Sequence, residues 1–442
     1  MNILIVGSGA REHAIARALH ASSEHPTLFC CGTSNNPGIQ QYTEQYWVGN
    51  ICSIEELVTL TKDWRIDMAI IGPEAPLDKG LADALLERNI AVIGPRQKLA
   101  RIETSKSFAR TLMDKYQIPG SPDYRVFDQL FGVKEYLQEL GEMGYVIKAD
   151  GLMSGKGVKV AGDHLHSLQD AFQYCEELID ANQIFVIEEK LIGQEFSLLC
   201  FCDGEHLIPM PIVQDHKRAF VNDEGPNTGG MGSYSDTDHR LPFLTDADIQ
   251  IALDMNEAVI KALTAETGQK YVGILYGSFI ATKNGVKLIE YNARFGDPEA
   301  MNVLAILESD FLSVCKMMIA GTLSSEKVSF ANLATVCKYA VPQGYPDKPV
   351  KNALIDISQV LHPERIYFAA VDERYGKLYA TGSRAIAVLG IASNIFEAEQ
   401  FAEEEINRIT GPLFHRKDIG TRELIDRRIR QMVLLRKVEY EI

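Results

Sequence analysis

The sequence predicts a multidomain chain of mixed α/β and α+β class, with a parallel sheet at its N-terminus and a compact α+β unit at its end. Three observations predict it. Short apolar runs that end in glycine alternate with helical patterns up to about residue 100. Beyond that point the pattern changes to βαββαβ around a glycine-rich turn. The length, 442 residues, allows two to four domains at roughly 100–200 residues each.

Taken in order, Asn2–Val6 is an apolar run ending at Gly7, as a buried parallel strand is. Ala14, Ile15, Ala18 and Leu19 stand at helical spacing within His13–His20. Thr27–Cys31 reads as a second strand. Ser53-Ile54-Glu55-Glu56 is a capping box that opens a helix to about Trp64. Ile66–Ile71, closed by Gly72-Pro73, is a third strand, Leu77–Arg88 a helix, and Ile90–Ile93 a fourth strand closed by Gly94-Pro95. Four such units put ligands at the carboxyl ends of the strands. Glu103–Tyr116 reads as one helix, stopped by Ile118-Pro119-Gly120-Ser121-Pro122. The glycine-rich turn then lies between the strands Tyr145–Ala149 and Val158–Ala161. Residues 191–325 read as antiparallel strands with two or three helices, interrupted by a long loop, Pro209–Tyr234, of the kind that usually carries function. Short strands (Thr335–Val341, Ile366–Val371, Ala385–Ile391) and the helix Ile395–Ile409 form the terminal α+β unit.

Composition removes several classes. Apolar residues are 46% and charged residues 24%, ordinary for a globular protein. A net charge of -16 repels nucleic acid and anionic membranes, so neither is expected as a partner. Eight cysteines without a C-x-x-C pair read as small buried hydrophobes in a reducing compartment. No apolar run approaches the roughly 20 residues of a membrane span, and Met1-Asn2 leads straight into the first strand with no basic leader. A cytoplasmic location is expected.

Gly7-Ser8-Gly9-Ala10-Arg11-Glu12 follows the first strand and suits a phosphate at a helix N-terminus. Glu12 stands where the dinucleotide fingerprint needs its third glycine, which disfavours a redox dinucleotide. Asp150-Gly151-Leu152-Met153-Ser154-Gly155-Lys156-Gly157 departs from a P-loop in spacing, in the residue after Lys156 and in the strand that follows. A glycine-rich hairpin with one lysine still suits nucleotide phosphates. Val186-Ile187-Glu188-Glu189 ends a strand in two carboxylates. In Leu288-Ile289-Glu290-Tyr291-Asn292-Ala293-Arg294, Glu290 and Asn292 share a strand face, and two hard oxygen donors side by side suit Mg²⁺. Arg294, in phase, would neutralise a transferring phosphoryl group. Gln214-Asp215-His216-Lys217-Arg218 and Gly225-Pro226-Asn227-Thr228-Gly229-Gly230-Met231-Gly232 read as a site for an anionic substrate or intermediate.

These stretches, with Gly72–Leu77, Ser105-Lys106, Arg294–Met301 and Arg416–Gly420, resemble the glycinamide ribonucleotide synthetase family of ATP-grasp ligases, essentially end to end. The resemblance implies a Rossmann-like N-terminal domain (1–102), an ATP-grasp core with a mobile lid (103–325, lid about 124–190) and a C-terminal α+β domain (326–442). It implies ATP with Mg²⁺ or Mn²⁺, and glycine and 5-phosphoribosylamine as substrates, in a monomer or weak oligomer. Lys106, Lys148 and the loop Gly151, Ser154, Gly155, Lys156 and Gly157 would meet the phosphates. Glu188 and Glu189 would lie at the adenine hinge, and Glu195 on the ribose. Glu290 and Asn292 match metal ligands. Gly9, Arg11, Glu12, Asn36, Gly38, Pro73 and Glu74 would hold phosphoribosylamine, and Asp215, His216, Arg218, Asn227 and Gly229 the substrates around the loop. Arg294, Asp297 and Lys217 would serve catalysis. Two departures bear on this carry-over. Ser34-Asn35-Asn36-Pro37-Gly38 replaces a P-G-N pattern common among relatives, and Ser278 stands where some relatives have a ligating glutamine. Another ATP-grasp ligase or carboxylase, a nucleotide-binding regulatory or structural protein without catalysis, and a dehydrogenase are the alternatives.

Overall fold

Five parallel strands in the order Thr43–Val48, Thr27–Gly32, Asn2–Val6, Met68–Ile71 and Ala91–Ile93 form the N-terminal sheet of the computed structural model. The model describes residues 1–153 and 157–437. Strand order reverses beside Asn2–Val6, which opens a crevice at its carboxyl end, at Gly7–Glu12 and Gly72–Glu74. The central strands are buried on both faces. Thr43–Val48, absent from the four units expected, is an edge strand of half-exposed polar and aromatic residues with no apolar run to announce it.

Three local expectations are corrected. The segment 77–88 is two short helices, Glu74–Asp78 and Leu81–Leu86, divided at Gly80, whose φ is 82°. The segment 103–116 is likewise split at Ser105 into Gln97–Thr104 and Lys106–Lys115. Extended Ser105 caps the second helix by accepting the Phe108 N–H. Ser53 precedes the helix Ile54–Asp63, but its side chain makes no capping hydrogen bond.

The expected βαββαβ order is present. Tyr124–Phe127, Phe185–Glu189, Tyr145–Ala149 and Val158–Val160 form a four-stranded antiparallel sheet, covered by Val133–Leu140 and Leu168–Asp180. This subdomain has a hydrophobic core of its own. A second antiparallel sheet runs Leu207–Pro209, Gly193–Asp203, Val272–Thr282, Gly285–Asn292, and shares its core with the N-terminal sheet. A small cleft lies between the two antiparallel sheets, lined by Lys106, Arg110, Lys148, Glu188, Ile289 and Glu290.

The long segment 209–234 is not structureless. Gly232–Ser235 pairs with Ala334–Pro342 of the C-terminal sheet, and Gln214–Asp215 pairs in turn with Gly232–Ser235 at its edge. Ile386–Ala392 and Ile366–Phe368 continue that sheet. Arg218–Phe220 and Glu224–Asn227 make a hairpin between the two short strands. The expected boundary at 326 is therefore crossed by one sheet. The last helix, Arg422–Lys437, packs against the strand Gly193–Asp203, and its Arg436 donates to both oxygens of Asp248 (2.7 and 3.0 Å) at the start of the helix Asp246–Thr267. No helix among the described residues is long and apolar enough to cross a membrane.

Candidate active site

The strand Gly285–Asn292 carries a bulge. Ser278 pairs with Glu290 and Phe279 with Leu288, which leaves Ile289 unpaired. The freed Ile289 carbonyl accepts from Arg110 Nη2 (2.8 Å) and Lys148 Nζ (3.1 Å). Beyond the bulge, Glu290 and Asn292 share one face at period two, with Ser278 opposite Glu290. These donors are all oxygen, which suits a hard divalent cation. No group of three or more His, Cys, Asp or Glu side chains able to hold a metal occurs among the described residues. Glu290 and Asn292 would supply two oxygen donors, which fits an ion that takes its remaining ligands from other oxygens and water. Lys217 Nζ lies 3.8 Å from Glu290 Oε1. Burial alone would raise the Glu290 carboxyl, but Lys217, Lys148, Lys106 and Arg294 outweigh it and hold it ionised.

Across the cleft, Glu188 is not free to meet a base. Its carboxylate accepts from Arg110 Nε (2.7 Å) and Nη2 (3.0 Å), and Lys148 Nζ stands 2.7 Å from Oε2. All three side chains are less than a tenth exposed. Glu188 therefore aims Lys148 at the bulge. Glu189 accepts the Asp123 N–H (3.0 Å), and Glu195 is exposed on Gly193–Asp203. Lys106 Nζ donates to the Gly151 carbonyl (3.0 Å). Asp150 accepts the N–H groups of Lys106 and Ser107 at the start of their helix. Gly151 needs its positive φ of 96°, and a Cβ on Gly157 would press on Met153 at 2.8 Å. Ser154, Gly155 and Lys156 lie outside the described residues.

The N-terminal crevice collects Gly9, Arg11, Glu12, Pro73, Glu74, Arg294 and Asp297. Glu12, 2% exposed, accepts from the Gly9 N–H (2.7 Å) and Arg11 Nε (2.6 Å). A Cβ on Gly72 would fall 1.9 Å from Glu12 Oε1, so the glycine is needed for this close approach. Glu12 thus braces the crevice from beneath. Arg294 reaches Glu74 (3.3 Å), Glu103 (2.8 Å) and Asn292 Oδ1 (3.1 Å), linking the crevice to the metal-type pair. Asn36 and Gly38 are elsewhere engaged. Asn36, fully buried, donates to the carbonyls of Ser8 (3.0 Å) and Phe368 (2.7 Å), and Gly38 leaves room for His13.

Glu103 is a site residue that the sequence reading missed, being taken only as the start of a helix. Burial raises its carboxyl to about 7, Arg294 opposing and Glu74 adding to the rise. The folded chain then binds this proton more tightly than the unfolded chain between pH 4.5 and about 7, so its contribution to stability is lost as pH rises through that window. Glu103→Gln is expected to gain stability relative to wild type from pH 5 to pH 8. Urea midpoints of both proteins at the two values check this, and a difference independent of pH contradicts it.

In the segment 214–218, side chains alternate. Asp215 and Lys217 face Glu290 and Glu299. His216 points the other way, against Tyr234 and toward Arg416, Arg428, Asp223 and Asp418. It is 2% exposed, and burial with the two arginines lowers it to about 3, so it is a neutral ring away from the cleft. Arg218 also leaves the cleft and pairs with Asp163 of the βαββαβ subdomain. Asn227 pairs opposite Arg218 in the hairpin, and the Gly229 carbonyl accepts from Arg384 (2.6 Å). Glu299, 1% exposed, accepts from Tyr276 Oη (2.6 Å) and Ser197 Oγ (3.0 Å) beneath Asp215. Arg110, four residues after Lys106 on one helix face, had a helical-spacing signal. Arg384 had none.

The chain is similar to known proteins over nearly its whole length. Family models for phosphoribosylglycinamide synthetase match most of the chain: the N domain over residues 1–103, the ATP-grasp (A) domain over 104–300 and the C domain over 335–422. A phosphoribosylamine–glycine ligase of Methanosarcina barkeri is 47% identical over 436 residues, 99% of this chain and 100% of the relative. One of Pyrococcus furiosus is 44% identical over 439 residues, 99% of this chain and 98% of the relative. A crystal structure of the Thermotoga maritima phosphoribosylamine–glycine ligase superposes with a TM-score of 0.80 at 28% identity, covering 95% of this chain and 100% of that one.

Proposed function

The chain belongs to the phosphoribosylglycinamide synthetase family of ATP-grasp ligases, and on that premise we propose that it joins glycine to 5-phosphoribosylamine, driven by ATP. The products are glycinamide ribonucleotide, ADP and phosphate, in purine (IMP) biosynthesis. One observation carries the reading: Glu290 and Asn292 project together from a bulged strand, flanked by Lys148 and Lys217 and tied through Arg294 to the crevice at Gly9–Glu74.

ATP lies in the cleft between the antiparallel sheets, with Lys106, Lys148 and the loop from Gly151 to Gly157 toward its phosphates. Glu189 and Glu195 flank the nucleoside end. Glu290 and Asn292, with Ser278 opposite, would hold Mg²⁺ or Mn²⁺, which when bound neutralises phosphate charge. A glycine carboxylate oxygen attacks the γ-phosphorus and ADP departs, giving glycyl phosphate. This replaces an oxide leaving group by phosphate. The amine of phosphoribosylamine then attacks the acyl carbon, phosphate leaves, and the nitrogen loses a proton. Lys217 and Arg294 stabilise the charge that develops on the transferred group. Asp297, at the mouth of the crevice, meets the sugar. The βαββαβ subdomain acts as a lid that keeps water from the acyl phosphate, which its separate core supports. A cytoplasmic location accords with eight free cysteines.

Purified protein with ATP, Mg²⁺ and phosphoribosylamine should release ADP and phosphate in equal amounts only when glycine is added, with glycinamide ribonucleotide seen by mass spectrometry. Nucleotide turnover driven by bicarbonate or formate instead of glycine would favour another ATP-grasp activity.

A further inference from the structure

The paired glycines Gly229-Gly230 have no role in the chemistry above, yet a residue of the C-terminal sheet domain explains them. Arg384 lies against this turn. A Cβ on Gly229 would come within 3.1 Å of its Cζ, and one on Gly230 within 3.2 Å of its Nη1. Gly230 also has a φ of 112°, which side chains rarely adopt. Arg384 Nη1 donates to the carbonyls of Gly229 (2.6 Å), Gly230 (2.9 Å) and Asp297 (2.9 Å). Its Nη2 stands 3.2 Å from Asp297 Oδ1. The guanidinium stacks on the Tyr339 ring at 4.5 Å, and the Tyr339 hydroxyl donates to the same Oδ1. Tyr339 is fully buried, and its N–H donates to the Met231 carbonyl (3.0 Å), just past the turn.

Asp297 Oδ1 is thus occupied twice, while Oδ2 has no partner among the described residues. A Cβ built on Gly9 would lie 3.6 Å from Oδ2, so this oxygen faces the N-terminal crevice. The carboxylate is 15% exposed, so Oδ2 is open to a ligand in the crevice. We propose that Arg384 and Tyr339 are positioning residues that lock the glycine turn to Asp297 and aim Oδ2 into the crevice, where it accepts a hydrogen bond from a hydroxyl of the sugar phosphate. The inference rests on the reading that this crevice takes phosphoribosylamine. It makes the C-terminal domain a determinant of sugar recognition and leaves the nucleotide cleft independent of it.

The experiment measures kcat and the KM for each substrate in wild type, Tyr339→Phe, Arg384→Lys and Arg384→Gln, with melting curves for folding. Tyr339→Phe should raise the KM for phosphoribosylamine about tenfold, and Arg384→Gln by tenfold to a hundredfold, the range for charge-assisted hydrogen bonds. Arg384→Lys should fall between wild type and Arg384→Gln. The KM values for ATP and glycine should stay within about twofold. An unchanged sugar KM, or a parallel rise in all three, overturns the proposal. Should Arg384→Gln not fold, the milder Tyr339→Phe decides by the same criterion. Wild type without any phosphoribosylamine-dependent turnover would instead refute the functional reading itself, and that baseline is recorded first.

Discussion

Glu188→Gln is expected to cost the protein about 3–5 kcal/mol, the range for removing one partner from a buried ion pair. The reason is geometric. Glu188 is 3% exposed and is the shared anion of Arg110, at 2.7 and 3.0 Å, and Lys148, at 2.7 Å. A neutral amide keeps the shape but leaves two buried cations facing each other without a counter-charge. At roughly 2–4 °C per kcal/mol for larger domains, the first thermal transition should fall by about 10 °C. Acid supplies a second check. Burial alone would raise Glu188, but Arg110 and Lys148 outweigh it and hold the carboxyl at about 2, below the ordinary 4.5. A depressed folded value means stability that is present above pH 4.5 and lost as pH falls toward about 2. The gap in urea midpoint between wild type and Glu188→Gln should therefore be wide at pH 7 and narrow at pH 3. An equal gap at both values would show that the carboxylate charge is not the stabilising element.

This triad marks where sequence reasoning stops. Two acidic residues ending an apolar strand predict a solvated end or a ligand contact, because nothing local reveals a partner 78 positions earlier. Arg110 comes to Glu188 only once the helix Lys106–Lys115 is laid against the cleft. The bulge at Ile289 is equally silent, since an extra residue in one strand leaves no compositional trace. Yet Glu290 and Asn292 were legible, because period-two alternation survives on the far side of the bulge. The N-terminal sheet was legible for a related reason. Strands buried on both faces must be apolar throughout, and each ends at a glycine where the chain turns over the crevice. The edge strand Thr43–Val48 lacks that constraint and was missed.

The segment 209–234 shows the opposite failure. Its Gly, Asn, Asp and Pro content reads as loop, and locally it is. What composition cannot carry is pairing at a distance: Gly232–Ser235 becomes a strand because Ala334–Pro342, about a hundred residues later, supplies its partner. That pairing also decides which face each side chain takes. Asp215 and Lys217 turn to the cleft, and His216 between them turns into the Arg416, Arg428 and Asp223 cluster. Motif spelling alone treats the three as one patch.

Glu290→Ala should separate chemistry from fold. Its carboxylate is 35% exposed and its ion pair with Lys217 spans 3.8 Å, so the pair is worth little to stability, about 0–1 kcal/mol for such exposure. The melting point should move by a few degrees at most. Turnover is another matter. The variant removes the one anionic oxygen donor of the strand, leaving the Asn292 amide and the Ser278 hydroxyl, neither charged. Lys217, Lys148 and Lys106 would then crowd the triphosphate without the ion that carboxylate is placed to hold. Removing a single preorganised electrostatic group typically lowers kcat by about 10²–10³, and a cation site lost with it takes the expected fall to roughly a thousandfold or more. Raising Mg²⁺ or Mn²⁺ should restore part of the rate in Glu290→Gln, whose amide oxygen can still ligate, and little of it in Glu290→Ala. Near-wild-type turnover in Glu290→Ala at ordinary Mg²⁺ would remove the strand from the reaction, and with it the reason for the bulge that turns Glu290 and Asn292 toward the cleft.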